Sequence, residues 1–225
     1  MQAGIKQQVL IDALVPDFGL SSKMGIYARE AILILGFAIL MSLCAQIAIR
    51  IPYTVVPITG QTFGVLLAGA ALGSRRGVLS MLVYAAIGMF LLPVFAPSSG
   101  AINESLGESG VFHFILPWSG NSDFLWSMPS GGYIVGFIVA AYLIGKLSER
   151  GWDRKVNILL GLLLGNVVIY AFGLPWLAIN LDIGLAKTLE WGLWPFIAGD
   201  AVKLVAASLA LPGAWALVDR IKNRK

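Results

Sequence analysis

Charged side chains are scarce in this 225-residue chain: Lys, Arg, Asp and Glu make up 12% of it, about half the share of an average soluble domain. Hydrophobic residues reach 58% and mean hydropathy is +0.82, which excludes a water-soluble globular fold. The only cysteine, Cys44, rules out an intrachain disulfide and leaves the redox compartment undefined. Lying in an apolar run, it is expected to pack. Histidine also occurs once, at His113, with no neighbours at metal-ligand spacing, so no metal is expected and His113 reads as a surface residue. The motifs G-x-x-x-x-G-K-[ST], H-E-x-x-H and G-x-S-x-G are missing. The chain therefore has no phosphate-cradling loop and no hydrolase signature; neither an enzyme nor a cofactor is expected, and any ATP energy has to enter through a partner. The pI near 9.3 does not point to nucleic acid, because the basic residues lie between apolar spans, where membrane orientation accounts for them.

What is present is a series of apolar runs near the span length of about 20 residues, which reads as an all-α integral membrane protein. The predicted spans are 30–49, a second run ending at 72, then 78–95, 131–147, 156–174 and 191–217. The second is the doubtful one: its apolar core, 62–72, covers only about 17 Å at 1.5 Å per residue, so a crossing has to begin near 55 or 60. Charge decides between the topologies. With six crossings, 13 of the 16 Lys and Arg residues share one side with both termini; without the second crossing the best division is 11 against 4. The positive-inside rule selects the six-transmembrane-helix bundle with both termini cytoplasmic. Residues 1–29 form an N-terminal cytoplasmic or interfacial segment, 30–217 the membrane domain and 218–225 a basic cytoplasmic tail, in a multi-pass protein of the cell membrane.

Local signals fill in the bundle. Ala38 and Ser42, Cys44 and Ala48, Gly161 and Gly165, and the stripe Gly132, Gly136, Ala140 are spaced for close helix contact. Asn166, polar in mid-span, is expected to bond a neighbouring helix. The run I-P-Y-T-V-V-P at 51–57 breaks the first helix, and Thr59 caps a helix starting at Gly60, with Gln61 its second residue. Val9, Leu10, Ile11, Leu14 and Val15 make one face of a short helix, ended by Pro16, that lies on the membrane; docking to a partner is the alternative. The longest connection, 96–130, carries an apolar cluster at 111–118 and reads, with Trp118 and Trp126, as an interfacial anchor.

Asp200 and Lys203 stand inside the last span. A charge at mid-membrane costs roughly 2.5–3.5 kcal/mol on insertion scales, and such residues face a bundle interior and mark binding sites or pathways. Three residues apart, they share one helix face, and Pro195 in the first turn sets them above or near the midplane, reachable from outside. A self-neutralising structural pair is the bland reading, but buried ion pairs are poor stabilisers. The pair is better suited to a polar ligand: Asp200 accepts from amide-like N–H groups, and Lys203 donates to a carbonyl or pairs with a carboxylate.

The order of motifs resembles the BioY family, the biotin-specific S components of energy-coupling factor (ECF) transporters. The matching pieces are V-P-I-T-G-Q-T at 56–62, L-L-A-G-A-A-L-G-S-R-R-G at 66–77, L-P-V-F-A at 92–96, P-S-G-G-Y at 129–133, G-L-P-W-L-A at 173–178 and G-D-A-V-K at 199–203. The resemblance implies a six-helix membrane subunit that binds biotin from outside and works with an ECF transmembrane coupling protein and two ATPase subunits. It also implies that Asp200 and Lys203 match polar residues of the biotin pocket. Gln61, Tyr133 and Trp176 are candidates for the rest of that pocket, each with a rival reading as a helix-end or interfacial residue. The connection 96–130 looks longer than the family's compact, glycine-rich one, and no ligand contact is carried over from it. Two other classes stay open: a stand-alone proton-coupled carrier of small molecules with Asp200 as relay, and a structural membrane subunit.

Overall fold

Helices dominate the structure, a computed structural model that describes residues 8–15, 22–49, 54–97, 112–116, 118–154 and 157–223. The helix stop at Pro16, the break at Pro52, residues 98–111 and Pro117 of the long connection, and the last two residues of the tail lie outside these segments. The helices are α1 (Leu10–Leu14), α2 (Lys23–Gln46), α3 (Gln61–Leu72), α4 (Ser74–Phe90), α5 (Gly131–Ser148), α6 (Asn157–Leu181), α7 (Leu185–Gly192) and α8 (Trp194–Lys222). Among the described residues, four stretches are long and apolar enough to cross a membrane: α2, α5, α6, and α7 with α8 taken together. Ile32, Ile39, Leu163 and Val167 are exposed on the outer faces of α2 and α6, a use of apolar surface that suits lipid better than water.

The central helix is α5, whose apolar window is 61% buried against 28–39% for the other three candidate spans. Small residues allow this. A Cβ on Gly132 would meet Trp176 at 2.2 Å, and one on Gly136 would lie 2.9 Å from the Ile169 backbone, so the stripe seats α5 against α6. On another face, Gly145 lets the turn between α3 and α4 come so close that a Cβ would stand 2.2 Å from the Ser74 nitrogen. That turn is made by Gly73 at φ +82°, a conformation that favours glycine. Glu149 then caps α4, its Oε1 accepting from the Ser74 backbone N–H at 3.0 Å and the Ser74 hydroxyl at 2.7 Å.

α2 and α3 run side by side in opposite directions. Gly60 N–H donates to the carbonyls of Cys44 and Ile47 at the end of α2, and Cys44 packs on Gly60 and Gly64, while Leu72 shares a cavity with Glu30 near the start of α2. One end of the molecule is thus basic and the other carries a small sheet. The sheet is a small addition to the expected helical fold. Its strands β1 (Ile47–Ile49), β2 (Ile58–Thr59) and β3 (Phe112–Phe114) are ordered β2-β1-β3, antiparallel, with Ala48 opposite both Thr59 and His113. His113 is not a surface residue: its relative exposure is 0%, and neither ring nitrogen has a partner among the described residues. Strand alternation is the reason, since Phe112 and Phe114 point outward and the residue between them inward.

Other expectations shift as well. The apolar face expected at 9–15 divides, with Leu14 exposed. Val9 and Leu10 are buried against the bundle, α1 packs on α3 and α8, and Asp12 pairs with Arg76 at 2.8 Å and Arg29 at 2.9 Å. The bundle end supplies both an apolar seat and cationic partners, which water and lipid do not. Arg154 adds a bond to the Gln8 carbonyl at 3.0 Å. The fifth span continues through Pro175 to Leu181, as prolines in membrane helices often permit, and the stretch left between the last two predicted spans is largely helical, containing the end of α6 and most of α7. The amide oxygen of Asn166 is buried without a partner among the described residues rather than bonded to another helix. Trp118 and Trp126 are exposed, as an interfacial pair has to be, and the Trp118 indole donates to the Pro93 carbonyl at 2.6 Å.

Candidate functional site

Between α3, α5, α6 and α8, close to the sheet, lies a cleft enclosing about 580 Å³ of empty space, its mouth included. Its lining is of the kind small-molecule sites have, mostly apolar with a few placed polar groups. The apolar walls are Val56 and Pro57 before α3, Ile134 and Phe137 on α5, Ile169 on α6 and Phe196 on α8. Polar groups come from Thr59, Gln61, Thr62, Tyr133, Tyr170, Asp200 and Lys203, and Ala96 and Ser130 complete the lining.

Helix spacing places Asp200 and Lys203 one turn apart on α8, and their side chains meet: Lys203 Nζ lies 2.8 Å from Asp200 Oδ1. The carboxylate is 5% exposed and the ammonium-bearing chain 17%, so the lysine is the more accessible of the two. Two hydroxyls join them. Thr62 donates to Asp200 Oδ1 at 3.0 Å and accepts from Lys203 Nζ at 2.8 Å, and the Tyr170 hydroxyl donates to Asp200 Oδ2. The charges are therefore held from three helices, α3, α6 and α8.

Gln61 lines the same cleft but is occupied. Its Nε2 donates to the Tyr84 hydroxyl at 2.9 Å, and its Oε1 accepts from the Thr59 hydroxyl at 3.0 Å. It is the first residue of α3, with Gly60 at the cap position, which moves the helix start one residue on from the sequence expectation. Thr59 still bonds the helix end, its Oγ1 accepting from the Gln61 N–H at 3.3 Å. Tyr133 offers its ring to the cleft while its hydroxyl donates to the Gly192 carbonyl at 2.9 Å; its ring meets Tyr170 edge to face, centroids 6.2 Å apart. Trp176 is not brought to the cleft lining. Its side chain packs over Gly132 and its indole donates to the Met128 carbonyl at 3.0 Å, bracing the start of α5.

Four of the five residues singled out in the sequence thus surround one cavity. Thr62 and Tyr170 join them without having been singled out. A signal exists for each: Thr62 ends the same V-P-I-T-G-Q-T motif, and Tyr170 follows Asn166 by four residues, on one face of α6.

Comparison with known proteins agrees with this architecture. The BioY family model matches residues 16–118 and 119–220. A "Probable biotin transporter BioY" of Pyrococcus horikoshii is 38% identical over 180 residues, covering 80% of this chain and 92% of that protein. The "Biotin transporter BioY" of Rhizobium etli is 31% identical over 180 residues, covering 76% and 84%. Among solved structures, the S-component for biotin from an ECF-type ABC transporter superposes with a TM-score of 0.67 at 22% identity, over 90% of this chain and 95% of that one. On the extent of these matches, the chain belongs to the BioY family.

Proposed function

We propose that the protein is the biotin-binding S component of an ECF transporter, capturing the vitamin from outside the cell membrane and depending on a transmembrane coupling protein and two ATPases for energy. The observation that carries this reading is the carboxylate–ammonium unit of Asp200 and Lys203, set in a cleft that is otherwise mostly apolar. Biotin matches such a site in kind: a urea with two N–H donors and a carbonyl, an apolar ring body and a terminal carboxylate. Asp200, Lys203, Gln61 and Tyr133 are the contacts we assign. Trp176 supports the site through the α5–α6 junction.

We also assign six crossings, with residues 30–217 as the membrane domain and 1–29 and 218–225 on the cytoplasmic side. In support, the N-terminal segment, the α3–α4 turn and the α5–α6 loop meet at one end through the Asp12, Glu149 and Arg154 contacts. α3 begins at the end of α2 and runs back alongside it, with Leu72 sharing a cavity with Glu30, which supports a second crossing.

Isothermal titration of biotin into the purified chain, with Asp200→Asn and Lys203→Ala beside the wild type, tests the reading. Saturable binding is expected for the wild type, weakened about 10-fold to 100-fold in each variant, the range for losing a hydrogen bond to a charged group. Wild-type protein without saturable binding overturns the biotin assignment, and equal affinities in all three reject the residues.

A further inference from the structure

We infer that Thr62 and Tyr170 are positioning residues, acting on the ligand through Asp200 and Lys203; this rests on the cleft being the biotin site. An ionised carboxylate has about four lone-pair positions, and three at Asp200 are taken, two on Oδ1 by Thr62 and Lys203 and one on Oδ2 by Tyr170. An ammonium has three N–H donors, and two at Lys203 are taken, by Asp200 Oδ1 and Thr62 Oγ1. What remains is one donor and one acceptor, fixed relative to each other.

The hydroxyls supply the fixing. A lysine ammonium sits on a flexible four-carbon stem, and attraction to a carboxylate three residues away constrains its distance more than its direction. Thr62 removes that freedom by accepting from the lysine and donating to the aspartate at once. Valine has the same shape and does neither; serine does both. Tyr170, on a different helix, fixes the other carboxylate oxygen and helps offset the desolvation of a side chain that is 5% exposed. Because the protein's own groups hold the unit, the ligand does not have to order it, which is how preorganisation raises affinity.

The test is biotin titration calorimetry on the full chain in lipid nanodiscs, for wild type, Thr62→Val, Thr62→Ser, Tyr170→Phe, Asp200→Asn and the double variant Tyr170→Phe/Asp200→Asn. Thr62→Val and Tyr170→Phe are expected to weaken binding about 10-fold or more, and Thr62→Ser to recover most of the Thr62→Val loss. Because Tyr170 acts through Asp200, adding Tyr170→Phe to Asp200→Asn is expected to cost no more than about twofold further, the signature of coupled residues in a double-mutant cycle. The same Tyr170→Phe loss in both backgrounds makes Tyr170 an independent contact and overturns its assignment. Wild-type affinity in Thr62→Val, or a Thr62→Ser loss equal to that of Thr62→Val, overturns the role of the Thr62 hydroxyl. Should Tyr170→Phe fail to fold, the Thr62 pair decides. A wild type that binds no biotin fails one step earlier, at the proposed function itself.

Discussion

A neutral imidazole is far easier to bury than a charged one, and His113 is buried with both ring nitrogens unpaired among the described residues. Burial lowers its pKa below the ordinary value. The sign follows: the stability His113 permits is present in full above the unfolded value of about 6.5 and is lost as pH falls through the folded one, by up to about tenfold in equilibrium constant per pH unit between the two. Hydrogen exchange of β1 and β3, corrected for intrinsic rate, is therefore expected to speed up between pH 7.5 and 5.5, and His113→Phe to abolish the change. An undiminished acid response in that variant would assign it elsewhere. The same scale shows what a sequence can disclose. Asp200 and Lys203 are conspicuous because a charge within an apolar run has few uses, whereas the hydroxyls of Thr62 and Tyr170 are common enough in membrane helices to pass unnoticed. Trp176 could not be placed because its partners, Met128 just before the preceding span and Gly132 at its start, become neighbours only through packing.

Among the elements, the helices are the readable part, because an apolar run of span length admits few other conformations in a bilayer. The sheet is hidden. Its strands are two or three residues long, and Ile47–Ile49 simply prolongs the apolar run of α2. α1 is visible as an amphipathic face, but its seat depends on residues far along the chain. Whether packing or charge holds α1 can be measured. Leu10 is 4% exposed and joins the main core, where Leu→Ala substitutions cost about 2–5 kcal/mol; the Asp12 pairs are partly exposed, and such pairs contribute about 1 kcal/mol or less. Leu10→Ala is thus expected to release residues 8–15 to fast exchange and proteolysis, with Asp12→Ala close to wild type. The reverse ranking would make the ion pairs the anchor.

For the whole molecule, the charge distribution along the chain and the meeting of its basic loops at one end point to the same topology. Cysteine labelling tests it on a favourable background, since Cys44 is buried. Lys187→Cys is expected to react with a membrane-impermeant maleimide in intact cells, and Arg75→Cys and Arg220→Cys only after permeabilisation. Labelling of Arg75→Cys in intact cells would mean that α3 does not cross. The junction between α7 and α8 carries one more property of the molecule as a unit. Consecutive carbonyls there are held by hydroxyls from different parts of the chain, Trp191 by Thr54 at 2.7 Å and Gly192 by Tyr133 at 2.9 Å. Because the two carbonyls are adjacent, the junction cannot swing away from α5 and the segment before α3 without releasing both bonds together. Displacing that wall therefore costs both bonds at once, which ties the segment before α3 and the start of α5 to a single element.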